Sequence, residues 1–238
     1  MATLSLVCVT SAAAAQQKED ADNIGDLLGP LAGQNWNVFL HGGLTGNGLF
    51  LLQRTPAGGE RALRDENSWN VGGGVGVDIL KSTGLRASYT YSTGDLSFLT
   101  DLGTGSEALD VSKISTLTTH VVDVELVNYM TPAHSGVAPY AAVGLTGSWF
   151  TSDAASAVIL RSGGSPQFRW GGVASFGVQF HVADGLYTQL EASSHSLGNP
   201  FSGTRSFTAT GGTTIDEPRR VNKTDYRLVL VYRFSDAK

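Results

Sequence analysis

The stretch "YRLVLVYRF", Tyr226–Phe234, stops four residues short of the end of the chain. Taken at alternate positions it separates into Tyr226, Leu228, Leu230, Tyr232 and Phe234 against Arg227, Val229, Val231 and Arg233. A repeat of two is the signature of a β-strand. One row is apolar with aromatics at both ends, and the other carries two arginines. Which row faces the interior decides the class of protein.

Seven further runs share this period. They are Trp36–Thr45, Trp69–Leu80, Leu85–Thr93, Leu117–Tyr129, Val137–Phe150, Phe168–Val182 and Leu186–His195. Most are longer than the usual soluble strand of about 5–6 residues and suit tilted strands of about 9–11 residues that cross a bilayer. The connections alternate. "KSTG" (Lys81–Gly84), "TPAHSG" (Thr131–Gly136) and "ADG" (Ala183–Gly185) are tight, and Asp184-Gly185 is a strong hairpin signal. Gly46–Ser68, Gly94–Thr116, Thr151–Gln167 and Ser196–Lys223 are long. One end of the sheet is trimmed and the other elaborated, with both termini at the trimmed end. The pattern predicts an all-β, eight-stranded, antiparallel up-and-down sheet, and eight strands suffice to close it into a barrel.

Sorting each run by parity addresses the question of faces. In the sixth run Phe168, Trp170, Phe176, Val178, Phe180 and Val182 oppose Arg169, Ser175, Gln179 and His181. In the seventh, Leu186, Leu190 and Ala192 oppose Gln189, Glu191, Ser193 and His195. A soluble ligand-carrying barrel puts the apolar row inside, and a membrane barrel puts it outside. Three features favour the membrane. The polar rows are Gly, Ser, Thr and Gln with few charges, where a soluble surface would be rich in Lys and Glu. Their charges nearly balance: Arg86, Arg169, Arg227 and Arg233 against Asp78, Asp123, Glu125 and Glu191. Such charges can pair inside a narrow barrel, where an unpaired one is costly. Finally, Trp69, Phe168, Trp170, Phe180, Tyr226, Tyr232 and Phe234 lie near the ends of the apolar rows, as in a pair of interfacial girdles. The arginines of the closing run are therefore expected to point inward, and its tyrosines and leucines to meet lipid.

Composition agrees. Charged residues are 16% of the 238, below the roughly 25% of soluble proteins, and glycine is high at 30. A net charge of −5 supplies no basic footprint for nucleic acid. No stretch approaches the roughly 20 apolar residues of a spanning helix. Residues 1–15, "MATLSLVCVTSAAAA", read as a signal peptide with an A-x-A site at Ala12–Ala15. Its positive n-region is missing, so the true start is expected upstream. Cys8, the single cysteine, lies within it, and the Leu6-Val7-Cys8 context is a poor lipobox. Residues 16–35 read as a periplasmic leader in which Ile24, Leu27, Leu28 and Leu31 have helical spacing. Residues 36–234 form the barrel and 235–238 a short tail.

The phrases "PYAAVGLTGSWF" (Pro139–Phe150), "FGVQFHVADGLYTQLEAS" (Phe176–Ser193) and the closing run resemble the small eight-stranded outer-membrane barrels of the OmpA/OmpX/Opa-like group. The resemblance covers residues 36–234 and implies export through the periplasm to a bacterial outer membrane. It also implies contact with membrane lipid and lipopolysaccharide, and a terminal aromatic signal, here Tyr232 and Phe234, read by the barrel-assembly machinery. "SDAK" follows that signal where such chains normally stop. Roles in the group vary, and fold alone does not decide among them.

Candidate chemistry is sparse. "EASSHSLGNP" gathers Glu191, Ser194, His195, Ser196 and Asn199, the residue types of a hydrolytic triad. By parity, however, His195 points away from lipid, and the His-x-Ser spacing of lipid A deacylases is absent. The histidines at 41, 120, 134, 181 and 195 form no HxH or HxxxH pair for a metal, and His41 and His181 read as interior hydrogen-bonding residues. "VGGGVGVDIL" (Val71–Leu80) lies in a strand with no following helix, so its glycines relieve crowding and are not a nucleotide loop. No cofactor is expected. The arginine-bearing loops Gln53–Ser68 and Ser202–Lys223 are candidates for contact with lipopolysaccharide phosphates or for a solvated surface. The leading expectation is a non-enzymatic structural or surface-interacting barrel. A narrow pore, a lipid A-modifying enzyme and a soluble lipocalin-like carrier are the alternatives.

Overall fold

The computed structural model describes residues 35–234, apart from 47, 55–59, 67, 102–109, 153–165, 201–213 and 217. The proposed signal peptide and most of the leader, like the 235–238 tail, lie outside the described residues. Eleven strands are present: β1 Asn35–Gly46, β2 Leu49–Arg54, β3 Glu60–Asp65, β4 Ser68–Leu80, β5 Thr83–Asp101, β6 Asp110–Tyr129, β7 Val137–Ser152, β8 Gln167–Ala183, β9 Leu186–Gly198, β10 Thr214–Asp216 and β11 Arg220–Arg233.

Eight of these close a ring. β1 pairs with β4 and β11, the chain then runs strand to neighbouring strand, and the β5–β6 pairing completes the circuit, with every pairing antiparallel. Closure leaves no membrane-spanning edge, the condition for backbone polar groups to be satisfied in lipid. The short turns are as tight as the sequence implies. Gly185, at φ 73°, is the one positive-φ residue described, and its carbonyl accepts a bond from the Arg233 N–H at 2.7 Å, tying the last turn beneath the last strand.

The long-loop end departs from the sequence reading. β5 and β6 run well past the barrel wall, with Leu99↔Val111 still in register. The first long connection folds into a β2–β3 hairpin, which pairs onto the β5 extension, and β10 from the last connection pairs with β2. These strands are invisible as periodic runs because they are short and stabilised in succession, β3 on the β5 extension, β2 on β3 and β10 on β2.

The lining faces follow parity. Leu40, Leu145, Trp170, Phe176, Leu228 and Leu230 are exposed on the outer wall, while Glu125, Arg227 and Arg233 are buried. Not every inward side chain is polar. Phe39, Tyr187, Val229 and Val231 form one buried cluster, and Val127, Tyr129, Ala133, Ala138, Tyr140 and Ala142 another.

Candidate functional site: the filled lumen and its cap

The inward rows of eight strands meet in a space just wide enough for side chains. At the short-turn end Arg233 pairs with Asp78 at 2.8 Å and donates through Nη2 to the Tyr129 hydroxyl and Gln179 Oε1, both at 3.1 Å. Its guanidinium also lies over the Tyr187 and Tyr129 rings, at 5.0 and 5.4 Å. Gln179 donates in turn to the Ala133 carbonyl. A cavity of about 20 Å³ remains beside Asp78 and Arg86, enough for little more than one water.

At mid-height Arg86 joins two strands across the lumen, with Nε 2.7 Å from Glu125 and Nη1 2.5 Å from Glu191. The remaining acceptor capacity of those carboxylates is taken up locally. Ser175 donates to Glu125 at 2.6 Å, Ser193 to Glu191 at 2.9 Å, and the Tyr140 hydroxyl lies 2.8 Å from Glu191 and 3.0 Å from Gln189. Arg227 sits 3.6 Å from Glu191 and bonds Asp225. Above this, Asp225 accepts from Thr45 at 2.6 Å, and His195 lies 3.2 Å from Asp123 and 3.7 Å from Asp225. His41 bonds Thr90 at 3.1 Å.

The network ends at the long-loop end in Lys223 and Asp65, paired at 2.9 Å beyond the girdle. Burial pushes the Asp65 carboxyl above its usual range, with Lys223 opposing that shift. Phe50, Leu63, Leu96, Leu117, Phe150, Leu197 and Val221, from the strands of this end, are all buried, and the Lys223 ammonium lies 6.0 Å from the Phe150 ring. Asn199 donates to the Phe50 carbonyl at 2.7 Å, which fixes the β2–β3 hairpin as a cap.

Asp78, Arg86, Asp123, Glu125, Glu191, Arg227 and Arg233 all lie within this lumen. Arg169 does not join them. It stands at the long-loop rim, where its guanidinium takes the Asn199 and Phe168 carbonyls and Gln167. Its place at the start of β8 lies level with the mouth, so backbone acceptors reach it first. His181 is a second correction: it is exposed at the opposite rim, beside the register shift between His181 and Ala183, with its ring tilted against that of Tyr187 at 5.1 Å between centroids. Asp65, Lys223 and Asp225 were missed. Extending the alternation of the closing run back through Asp225, Lys223 and Val221 would have found two of them.

The triad candidates do not assemble. His195 is buried between two aspartates, Ser194 is exposed on the outer wall, and Glu191 is engaged by Arg86. Among the described residues no group of three or more His, Cys, Asp or Glu is placed to hold a metal.

On the outer wall Trp69, Phe168, Trp170 and Tyr226 are exposed toward the long-loop end, and Tyr232, Phe234 and half-exposed Phe180 toward the other. The model of the outer membrane protein beta-barrel domain matches residues 1–234. The chain belongs to this family. It is accordingly a transmembrane barrel of the bacterial outer membrane, and its apolar rows face lipid. That placement removes the soluble carrier from consideration.

Among solved structures the chain is similar to the outer membrane protein OprG from Pseudomonas aeruginosa, with a TM-score of 0.51 at 11% identity, covering 85% of this chain and 98% of that one. Neisserial surface protein A matches with a TM-score of 0.44 at 12% identity, covering 83% and 97%. The outer membrane protease OmpT from Escherichia coli matches with 0.45 at 8%, covering 85% and 98%. At 11% identity the likeness to OprG is one of fold alone. No curated protein matches the sequence.

Proposed function

We propose that this member of the family is a non-enzymatic barrel, closed to solutes, whose long loops face the cell exterior and serve a structural or surface-interaction role. The observation that carries the reading is the Arg86 bridge to Glu125 and Glu191, which spans the lumen at mid-height with its hydrogen bonds met from several strands. A side-chain plug of paired charges is rigid in a low dielectric because each partner would be left uncompensated by movement. The dispersal of Glu191, Ser194 and His195 supports a non-enzymatic role. Under the same proposal Tyr232 and Phe234 serve as the assembly signal, residues 1–15 are removed on export, and the exposed Arg219 and Arg220 face lipopolysaccharide.

The test is reconstitution of the folded chain in planar bilayers, with a hydrolysis assay on lipid A and peptide substrates. Absence of discrete conductance steps and of turnover is the expected result. A stable open channel would overturn the closed-lumen reading, and turnover lost on His195→Ala would overturn the non-enzymatic one.

A further inference from the structure

At the long-loop end, where β3 gives way to β4, the groups of Asp65, Glu66 and Ser68 converge in front of Gly94 on β5. The point where a side chain at Gly94 would begin lies 3.1 Å from Asp65 Oδ1, 3.1 Å from the Glu66 carbonyl oxygen and 2.5 Å from Ser68 Cβ. Any Cβ there would fill the corner, so glycine keeps it open. The backbone holds the corner on two sides. The Asp65 N–H donates to the Gly48 carbonyl at 3.2 Å, and the Glu66 N–H to the Asp95 carbonyl at 2.8 Å. The Asp65 and Ser68 side chains are more than nine-tenths buried, yet Asp65 Oδ1 and Ser68 Oγ have no hydrogen-bond partner among the described residues. Asp65 Oδ2 is taken by Lys223 at 2.9 Å, but that cation does not balance the corner. Burial, with Asp225 and Asp95 adding to it, holds the Asp65 carboxyl above its ordinary range although Lys223 pulls the other way.

We propose that this corner is a binding site for a hard divalent cation of the calcium class, held by Asp65 Oδ1, the Glu66 carbonyl and Ser68 Oγ. A buried carboxylate oxygen that shares a corner with a carbonyl is unfavourable unless a donor or a positive charge stands between them. A water supplies donors to these oxygens but no charge, and the corner is short of positive charge. Calcium takes oxygen ligands in flexible geometry and completes its shell with water, which suits three protein oxygens set irregularly. Magnesium, with its strict octahedral demand, fits less well. The set holds a single carboxylate, one that is shared with Lys223. Its affinity therefore belongs with the weak extracellular modules, at a Kd of about 10⁻⁴–10⁻³ M. The exposed Glu66 side chain stands beside the corner and favours entry of a cation from solvent. Bound there, the cation ties the β2–β3 cap to the start of β4. The inference stands whether or not the lumen conducts.

The experiment follows urea unfolding of the full chain in a zwitterionic detergent while calcium chloride is raised from about 0.1 to 10 mM. Choline chloride at matched ionic strength is the reference. A ligand that binds only the folded chain raises the unfolding midpoint, so the midpoint is expected to climb with calcium and then level off. Ser68→Ala should weaken the response about tenfold, and Asp65→Asn should remove it. Ser148→Ala deletes another buried hydroxyl without a partner, away from the corner, and should leave the response unchanged. A heat shift on unboiled gels checks that each variant is folded. Ser68→Ala removes a hydroxyl that makes no hydrogen bond, so it serves as the test if Asp65→Asn fails to fold. Terbium luminescence, excited through the neighbouring Trp69 and quenched as calcium displaces it, reports binding directly. A midpoint indifferent to calcium, even one that rises on acidification, overturns the site and leaves the corner to a proton or a water. A calcium response of equal size in Ser68→Ala and in wild type also overturns it, because the cation then binds elsewhere on the chain.

Discussion

Lys223 on β11 and Asp65 on β3 form an ion pair at 2.9 Å in which the side chains are only 5% and 3% exposed. One partner belongs to the barrel wall and the other to a hairpin built from a loop, so the contact joins the cap to the barrel. Lys223 also lies over the Phe150 ring at 6.0 Å, within the apolar cap.

Removing one partner should cost more than removing both. Lys223→Met leaves a buried carboxylate uncompensated and should cost about 3–5 kcal/mol, whereas Asp65→Leu/Lys223→Met should recover most of it. The pH dependence has a definite sign. A carboxyl whose folded value is raised contributes stability that is complete below its unfolded value and lost as pH rises through the folded one. Asp65 is already raised by burial against the pull of Lys223. Without that cation, the Lys223→Met variant should regain stability relative to wild type on acidification from neutral toward the ordinary carboxylate range. Urea unfolding in vesicles across that window checks it, and a pH-independent difference contradicts it.

The centre of the lumen should behave as a network and not as isolated pairs. Arg86→Met strands Glu125 and leaves Glu191 only the longer contact to Arg227 at 3.6 Å, and should prevent the heat-shifted folded form, while adding Glu125→Gln and Glu191→Gln should restore it. Tyr140→Phe removes one donor to a buried carboxylate and should cost about 1–3 kcal/mol. The same urea assay reads both, and a cost near zero for Tyr140→Phe would mean that Ser193 already satisfies Glu191.

Much of this architecture was legible because a lipid-facing wall and a packed lumen impose opposite demands on alternate residues. Phe168, Trp170 and Phe176 against Arg169, Val173 and Ser175 show the period plainly. What was not legible depends on partners rather than period. β2, β3 and β10 exist because β5 continues past the wall, and no alternation within the first long connection announces that. Asp225 and Lys223 lie before the aromatic Tyr226 that marks the start of the periodic run, whereas β11 starts at Arg220. Inward Tyr140 and Phe39 break the simple rule that inside is polar. Each fills volume that the small residues around it leave, with Tyr140 also bonding Glu191.

Gly144 should be intolerant of any side chain. A Cβ there would lie 2.0 Å from the Val124 carbonyl oxygen on β6, and backbone in a closed ladder cannot retreat. Gly144→Ala should lose most of the heat-shifted form, and Gly136→Ala in an open turn should keep it. Comparable yields from both would show that the wall is more compliant than its pairing suggests.

The outer wall can be tested by depth. Leu230 lies midway between Tyr226 and Phe234 on the lipid-facing row and is half exposed. Leu230→Arg places a cation in the hydrocarbon centre and should cost about 2–4 kcal/mol, whereas Tyr226→Arg at the girdle should cost about 0–1 kcal/mol. Its neighbours Val229 and Val231 face the lumen, so a substitution one residue away samples the opposite environment. Unfolding from vesicles of two hydrocarbon thicknesses separates depth from local packing. The Leu230→Arg penalty should shrink in the thinner bilayer, where the guanidinium reaches headgroups more easily. A penalty that ignores thickness would mean that contacts with Leu40 and Thr188 on the adjoining strands, and not lipid, dominate at this position.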